Sequence, residues 1–209
     1  MAGLAVTGSA VWAMSLDRYM SRVRTDFPPA DVKLRELIVY LSALSEGDKF
    51  WGAIKLNKLL FYCDFMAYLR FGQSITSQEY QALEQGPAPR RLKPVLEKMK
   101  KAGDIIEREN FFHGFKQLQT VARRTAATET FSGPEVDLIH ETIQRFWQMS
   151  ATEISERSHT FLGWKLAQIG ETIPYKTVLI GTRKATEKER RLARRFQKLA
   201  GESLKKGAK

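Results

Sequence analysis

The strongest constraint on the fold is the segment from about Ala53 to Arg70, which is apolar almost all the way round a helix. Ile54, Leu56, Leu59, Leu60, Phe61, Cys63, Phe65, Met66 and Leu69 leave no broad polar face. A helix of that kind is central and buried. The neighbouring segments must therefore be arranged around it. Its few polar residues fall in two strips. Lys55, Lys58 and Tyr62 share one helical face, and Asn57, Phe61 and Asp64 share another. A buried Asp64 requires a partner, because an unpaired carboxylate in an apolar interior is costly or protonated. Lys58, Tyr80 and His159 are the candidates.

The other segments supply the surroundings. Asp31 is placed to cap a helix running to about Leu44, with the stripe Leu34, Leu37, Ile38, Leu41 and Leu44. Tyr80 to Glu84 is an extended segment leading into Gly86-Pro87-Ala88-Pro89, expected as a rigid turn. A helix from about Arg90 to Ala102 follows. Ile105 to Arg108 and Phe115 to Val121 form a hairpin. Pro134 opens a helix with the stripe Val136, Ile139, Ile143, Phe146 and Trp147. A shorter helix starts near Thr152, another runs from about Thr160 to Ile169, and Thr172 to Tyr175 is extended. The expected fold is mainly α with a small β-hairpin (α+β), a helical domain containing a winged-helix-like helix–hairpin element. The domain spans 31–181, between an N-terminal extension over 1–30 and a basic C-terminal helix or tail over 182–209.

Charge is segregated. The chain carries 34 Lys and Arg against 23 Asp and Glu, a net +11. Residues 183–209 hold eleven cations and three carboxylates, so +8 of that total lies in the tail. Thr186-Glu187-Lys188-Glu189 there is a capping box. Such a tail favours acidic partners or nucleic acid. Arg190, Arg191, Arg194 and Arg195 are candidate phosphate contacts, as are Arg91 and Lys93 on the helix before the hairpin. A solvated helix face is the competing reading of each.

Chemistry is sparse. His113, His140 and His159 form no HxxxH pattern, and the single cysteine excludes CxxC. Cys63 lies on the buried helix and is expected as an apolar filler. One cysteine forms no intrachain disulfide, which suits a reducing compartment. No phosphate-binding glycine loop is present. No stretch of 18 apolar residues occurs, so no membrane span is expected. No signal peptide is recognisable at Met1 to Met14. The reading is a cytoplasmic protein that is not an enzyme and needs no cofactor or metal.

Two segments carry a family resemblance. The first is Lys55-Leu56-Asn57-Lys58-Leu59-Leu60-Phe61-Tyr62-Cys63-Asp64. Gly72 with Ile75-Thr76, Tyr80-Gln81-Ala82 and Gly86-Pro87-Ala88-Pro89-Arg90 continue it. The second is Ser158-His159, then Trp164, then Ile173-Pro174-Tyr175. Together they resemble the Panacea (SocA-like antitoxin) domain over about Val32 to Tyr175. Cys63 and Ala88 replace the family's usual alanine and valine. The resemblance implies an antitoxin that neutralises a cognate toxin encoded next door, by direct protein binding. It also implies, as alternatives, an adaptor delivering the toxin to a protease, and phage-associated contexts. A nucleic-acid-binding regulator, acting on its own operon or on phage DNA, is the rival suggested by the helix–hairpin order and the basic tail. The candidate partner-binding residues are Lys55, Asn57, Lys58, Tyr62, Asp64, Arg90, His159 and Trp164. For the polar residues of the central helix, a role in pinning the internal architecture stands beside toxin contact.

Overall fold

The computed structural model describes residues 29–112, 115–180, 187 and 191. Residues 1–28 of the extension expected over 1–30 and nearly all of the basic tail lie outside the described residues, as does His113, while Pro29 and Ala30 belong to the first helix. Six α-helices are found among the described residues: α1 (Pro29–Ser45), α2 (Ala53–Phe71), α3 (Leu92–Ala102), α4 (Gly133–Phe146), α5 (Ala151–His159) and α6 (Leu162–Leu166). The strands are β1 (Tyr80–Leu83), β2 (Gly86–Pro89), β3 (Ile105–Phe112), β4 (Phe115–Ala122) and β5 (Thr172–Ile173). The mainly α architecture with small antiparallel β elements agrees with the sequence.

Helix α2 is the axis of the fold. Leu56, Leu59, Leu60 and Cys63 face a large aliphatic core shared with Leu34, Leu37 and Ile38 of α1, Val95 and Met99 of α3, and Ile139 of α4. Phe61 and Phe65, on the other side, face an aromatic cluster with Tyr80 and Ile173, flanked by Phe161, Trp164 and Tyr175. Edge-on rings dominate there: Phe65 meets Tyr80 at 5.2 Å and 86°, and Phe161 at 5.2 Å and 79°. That is the geometry the ring quadrupole prefers. Gly72 ends α2 and Gly103 ends α3, both left-handed, at φ 77° and 78°.

Several local expectations are corrected. Gly86–Pro89 is a strand rather than a turn. It pairs antiparallel with β1 in the register Tyr80↔Pro89 to Leu83↔Gly86, and the turn itself is Glu84-Gln85. Two prolines are tolerated because β2 is an edge strand in the sheet order β2-β1-β5. The extended 172–175 segment contributes β5, which joins β1 as a third strand. The helix expected over 160–169 is only α6, followed by a 3-10 turn over Tyr175–Leu179. Close approach between them explains Gly163, where any Cβ would collide with Thr177 and Phe161. Helix α5 is capped by Ser150, whose hydroxyl accepts from the Glu153 amide at 3.2 Å, rather than starting at Thr152. Asp31 does not cap α1. It lies fully buried in the first turn, and its carboxylate accepts from Arg91 at 3.0 and 2.7 Å.

A second buried network ties α1 to the hairpin. Arg124 donates to both Glu36 oxygens at 2.7 Å and to Asp104 at 2.7 Å, and Arg35 donates to Asp104 at 2.6 and 2.8 Å. Although burial alone would raise it, the two guanidinium groups hold Asp104 below the usual carboxylate range. Breaking such a pair leaves a carboxylate stranded in the interior. Arg124→Met is therefore expected to cost about 3 kcal/mol of unfolding free energy, measured by urea denaturation.

Candidate functional site

The structure accounts for the matched polar residues one by one. Lys55 is buried and forms an ion pair with buried Asp48. Its ammonium also donates to the Met149 carbonyl at 2.8 Å. Asp48 accepts the backbone N–H groups of Phe50, at 3.0 Å, and Gln148, at 3.1 Å. One ion pair thus fastens the α1–α2 loop to the α4–α5 connection. Desolvation lowers the Lys55 pKa, opposed by the bond to Asp48.

Lys58 sits one turn further along α2, equally buried, and donates to the Gln85 carbonyl in the β1–β2 turn. Desolvation pulls its pKa down to about 8. Gly86 adjoins it at φ 99°, and a Cβ there would meet the Lys58 ammonium and the Ser158 hydroxyl. Glycine is demanded by both the backbone angle and the space.

Asp64 is wholly buried. Its carboxylate accepts from the Thr76 N–H at 2.7 Å, from the Thr76 hydroxyl, and from the Tyr80 hydroxyl at 2.8 Å. Of the three candidate partners, Tyr80 is the one the fold supplies, and Thr76 went unrecognised. Burial pushes the Asp64 carboxyl up to about 6, against the pull of these donors.

The late matched elements converge on the same sheet. Trp164 donates its indole N–H to the Leu83 carbonyl at 2.9 Å, and Tyr175 donates to the Gln78 carbonyl at 2.6 Å. His159 stacks on Trp164 at 4.2 Å and 16°. Five residues apart, the two would not share a face of one continuous helix. They meet because α5 ends at His159 and the chain turns before α6. Arg90 is exposed and donates to Gln81, Gly170 and Thr172 at 3.1, 2.7 and 3.1 Å, bracing β1 against the β5 turn. Asn57 donates to the Ala53 carbonyl at 3.2 Å within its own helix. Tyr62 is half-buried and stacks on Phe146 at 4.4 Å. Burial of the phenol raises its pKa to about 12.

Lys55, Lys58 and Asp64 therefore have internal partners and no accessible surface, while Asn57, Tyr62, Arg90, His159 and Trp164 retain exposure. Cys63 is buried too, and desolvation drives its thiol pKa upward, against nucleophilic use.

The nucleic-acid candidates are placed differently. Helix α3 does precede the β3–β4 hairpin. Much of the charge there is already met: Arg91 by Asp31, and Lys100 by Glu97 and Glu107 at 2.6 and 2.7 Å. Lys93 is exposed. Arg191 lies 3.9 Å from Glu187, one helical turn away. Arg190, Arg194 and Arg195 lie outside the described residues.

One feature escaped sequence reasoning. Beside Phe61 and Phe65 opens a cavity of about 340 Å³, walled by Tyr62, Phe146 and Phe161, with Arg145 and Arg157 at its margin. The two arginines come from different helices, and only the fold brings them together. No group of three or more His, Cys, Asp or Glu side chains that would hold a metal ion occurs among the described residues. No helix among them is long and apolar enough to cross a membrane.

A family model for the antitoxin SocA-like, Panacea domain matches residues 56–165. That is just over half of the 209 residues. The chain belongs to this family. The match begins inside α2 and ends at α6, so it takes in the buried Lys58 and Asp64 and the Trp164 contact. No curated protein and no solved structure matches the chain. The family is one of antitoxins, which suggests a toxin–antitoxin role.

Two substitutions test this interior. Gly86→Ala is expected to lower stability by roughly 3 kcal/mol through strain and collision with Lys58, read from the denaturation midpoint. For Asp64, a folded pKa near 6 above an unfolded value near 3.8 means the native state holds the extra proton between them. Its contribution is present below pH ~4 and is lost as pH rises through about 6. The stability of wild type relative to Asp64→Asn is therefore expected to be greater at pH 4 than at pH 7, by up to about 3 kcal/mol. Paired denaturation curves at the two pH values check this.

Proposed function

We propose that this chain is an antitoxin that neutralises a cognate toxin by binding it directly. The observation that carries this reading is the family match over residues 56–165. The physical chemistry of the matched region supports it. Lys55, Lys58 and Asp64 of α2, the first place to look for catalysis, are engaged by internal donors and acceptors. Such bonds stiffen the scaffold. A rigid scaffold suits capture of another protein, because little ordering remains to oppose association.

Direct neutralisation and adaptor-mediated proteolysis differ in what happens to the toxin. Co-expression with the adjacent reading frame is the test. The expected result is that the neighbouring product arrests growth alone, that this chain restores growth, and that the toxin's half-life is unchanged. Rescue with a shortened half-life would favour the adaptor. A harmless neighbouring product, or no rescue, would contradict the antitoxin reading.

A further inference from the structure

We propose that the aromatic cavity beside α2 is the toxin-contacting site, and that it seats an aromatic or aliphatic side chain from an acidic segment of the toxin. The inference rests on the antitoxin reading and adds a surface and a partner chemistry to it.

The floor of the cavity is Phe61 and Phe65, at 1% and 2% exposure, and its walls are the half-buried rings of Tyr62 and Phe161. At about 340 Å³ it lies at the low end of ligand-sized clefts, roughly 300–1,000 Å³. That is room for a side chain or two rather than for a folded element. An apolar anchor in a pocket with a charged rim is the arrangement of a binding hot spot.

The rim sets the sign of the partner. Arg145 and Arg157 are exposed, and neither has an ion-pair partner among the described residues. Glu153, one turn back on the same helix, feels the Arg157 charge, but its carboxylate is engaged by the Ser150 hydroxyl and N–H at 2.6 and 2.8 Å. Ile180 also lines the cavity, and the chain that continues from it carries the +8 of residues 183–209. The cationic rim is thus continuous in sequence with the most basic part of the protein.

Charge also argues against the other occupants. The chain's own C-terminal segment would bring cations onto Arg145 and Arg157. A second copy would bring another net +11. A nucleotide would place concentrated phosphate charge beside the C-terminal ends of α4 and α5, where the helix dipole is negative.

The test uses the full chain and the double variant R145E/R157E. Both substitutions are at exposed positions, so the thermal midpoint should stay within about 3 °C of wild type, which shows that the variant folds. Selection from a phage-displayed random peptide library should enrich acidic sequences around a Trp, Phe or Leu. Their affinity should fall about tenfold or more in R145E/R157E and weaken with added salt. Lys-for-Asp/Glu versions of the same peptides should regain binding to the variant. A library yielding no clone sensitive to R145E/R157E overturns the proposal. So does displacement of the selected peptides by GTP, a dimer that R145E/R157E dissociates, or a peptide affinity that rises when residues 183–209 are removed, each of which names a different occupant. In the growth assay, wild-type rescue with equal rescue by R145E/R157E rejects this surface alone. Failure of wild-type rescue rejects the antitoxin reading, leaving the peptide measurements to decide on the cavity.

Discussion

The fold depends on the placement of three ionisable side chains inside one helix. Lys55, Lys58 and Asp64 of α2 have almost no accessible surface. An isolated charge there would cost several kcal/mol, so each must find its partner or the chain does not close. The partners lie in four different connections and one strand: Asp48, Met149, Gln85 and Thr76, with Tyr80 on β1. Apolar contacts alone would let the connections slide against an almost uniformly apolar helix. The ammonium and carboxylate groups fix where each one crosses it. Gly86 shows how tight the arrangement is, since even a methyl group has no place beside Lys58.

This arrangement separates the parts of the molecule by role. Residues inside the α2 network set the scaffold, and the late segment with Trp164 and Tyr175 locks onto the same sheet through backbone carbonyls. The surface we propose for recognition is peripheral: the aromatic cavity with Arg145 and Arg157. Rim residues can vary in charge and shape while the pins stay buried.

The sequence made the helices legible because apolar periodicity is a local signal. The stripes of α1, α2 and α4 and the β3–β4 hairpin follow from it directly. The role of Gly86–Pro89 was not legible, because prolines punctuate turns far more often than they pair at a sheet edge, and pairing with β1 is a tertiary fact. The burial of Lys55 and Lys58 was only half legible. Their shared face was plain, but whether it met solvent or Asp48 and Gln85 depended on loops without periodicity. The His159–Trp164 stack and the meeting of Arg145 with Arg157 were beyond sequence reasoning. Both arise where one helix stops and another begins, and a spacing rule holds only within a single helix.

Lys55, Lys58 and Asp64 of α2 are internal pins with almost no surface to offer a partner. Lysine-specific acylation of the native chain at pH 8, read by mass spectrometry, tests this most directly. An accessible lysine amine is acylated at that pH, whereas a buried one is shielded until the chain opens. The account predicts that Lys55 and Lys58 stay unmodified until the protein is unfolded, while exposed Lys93 and Lys101 react at once. Rapid native-state modification of Lys55 or Lys58 would contradict it.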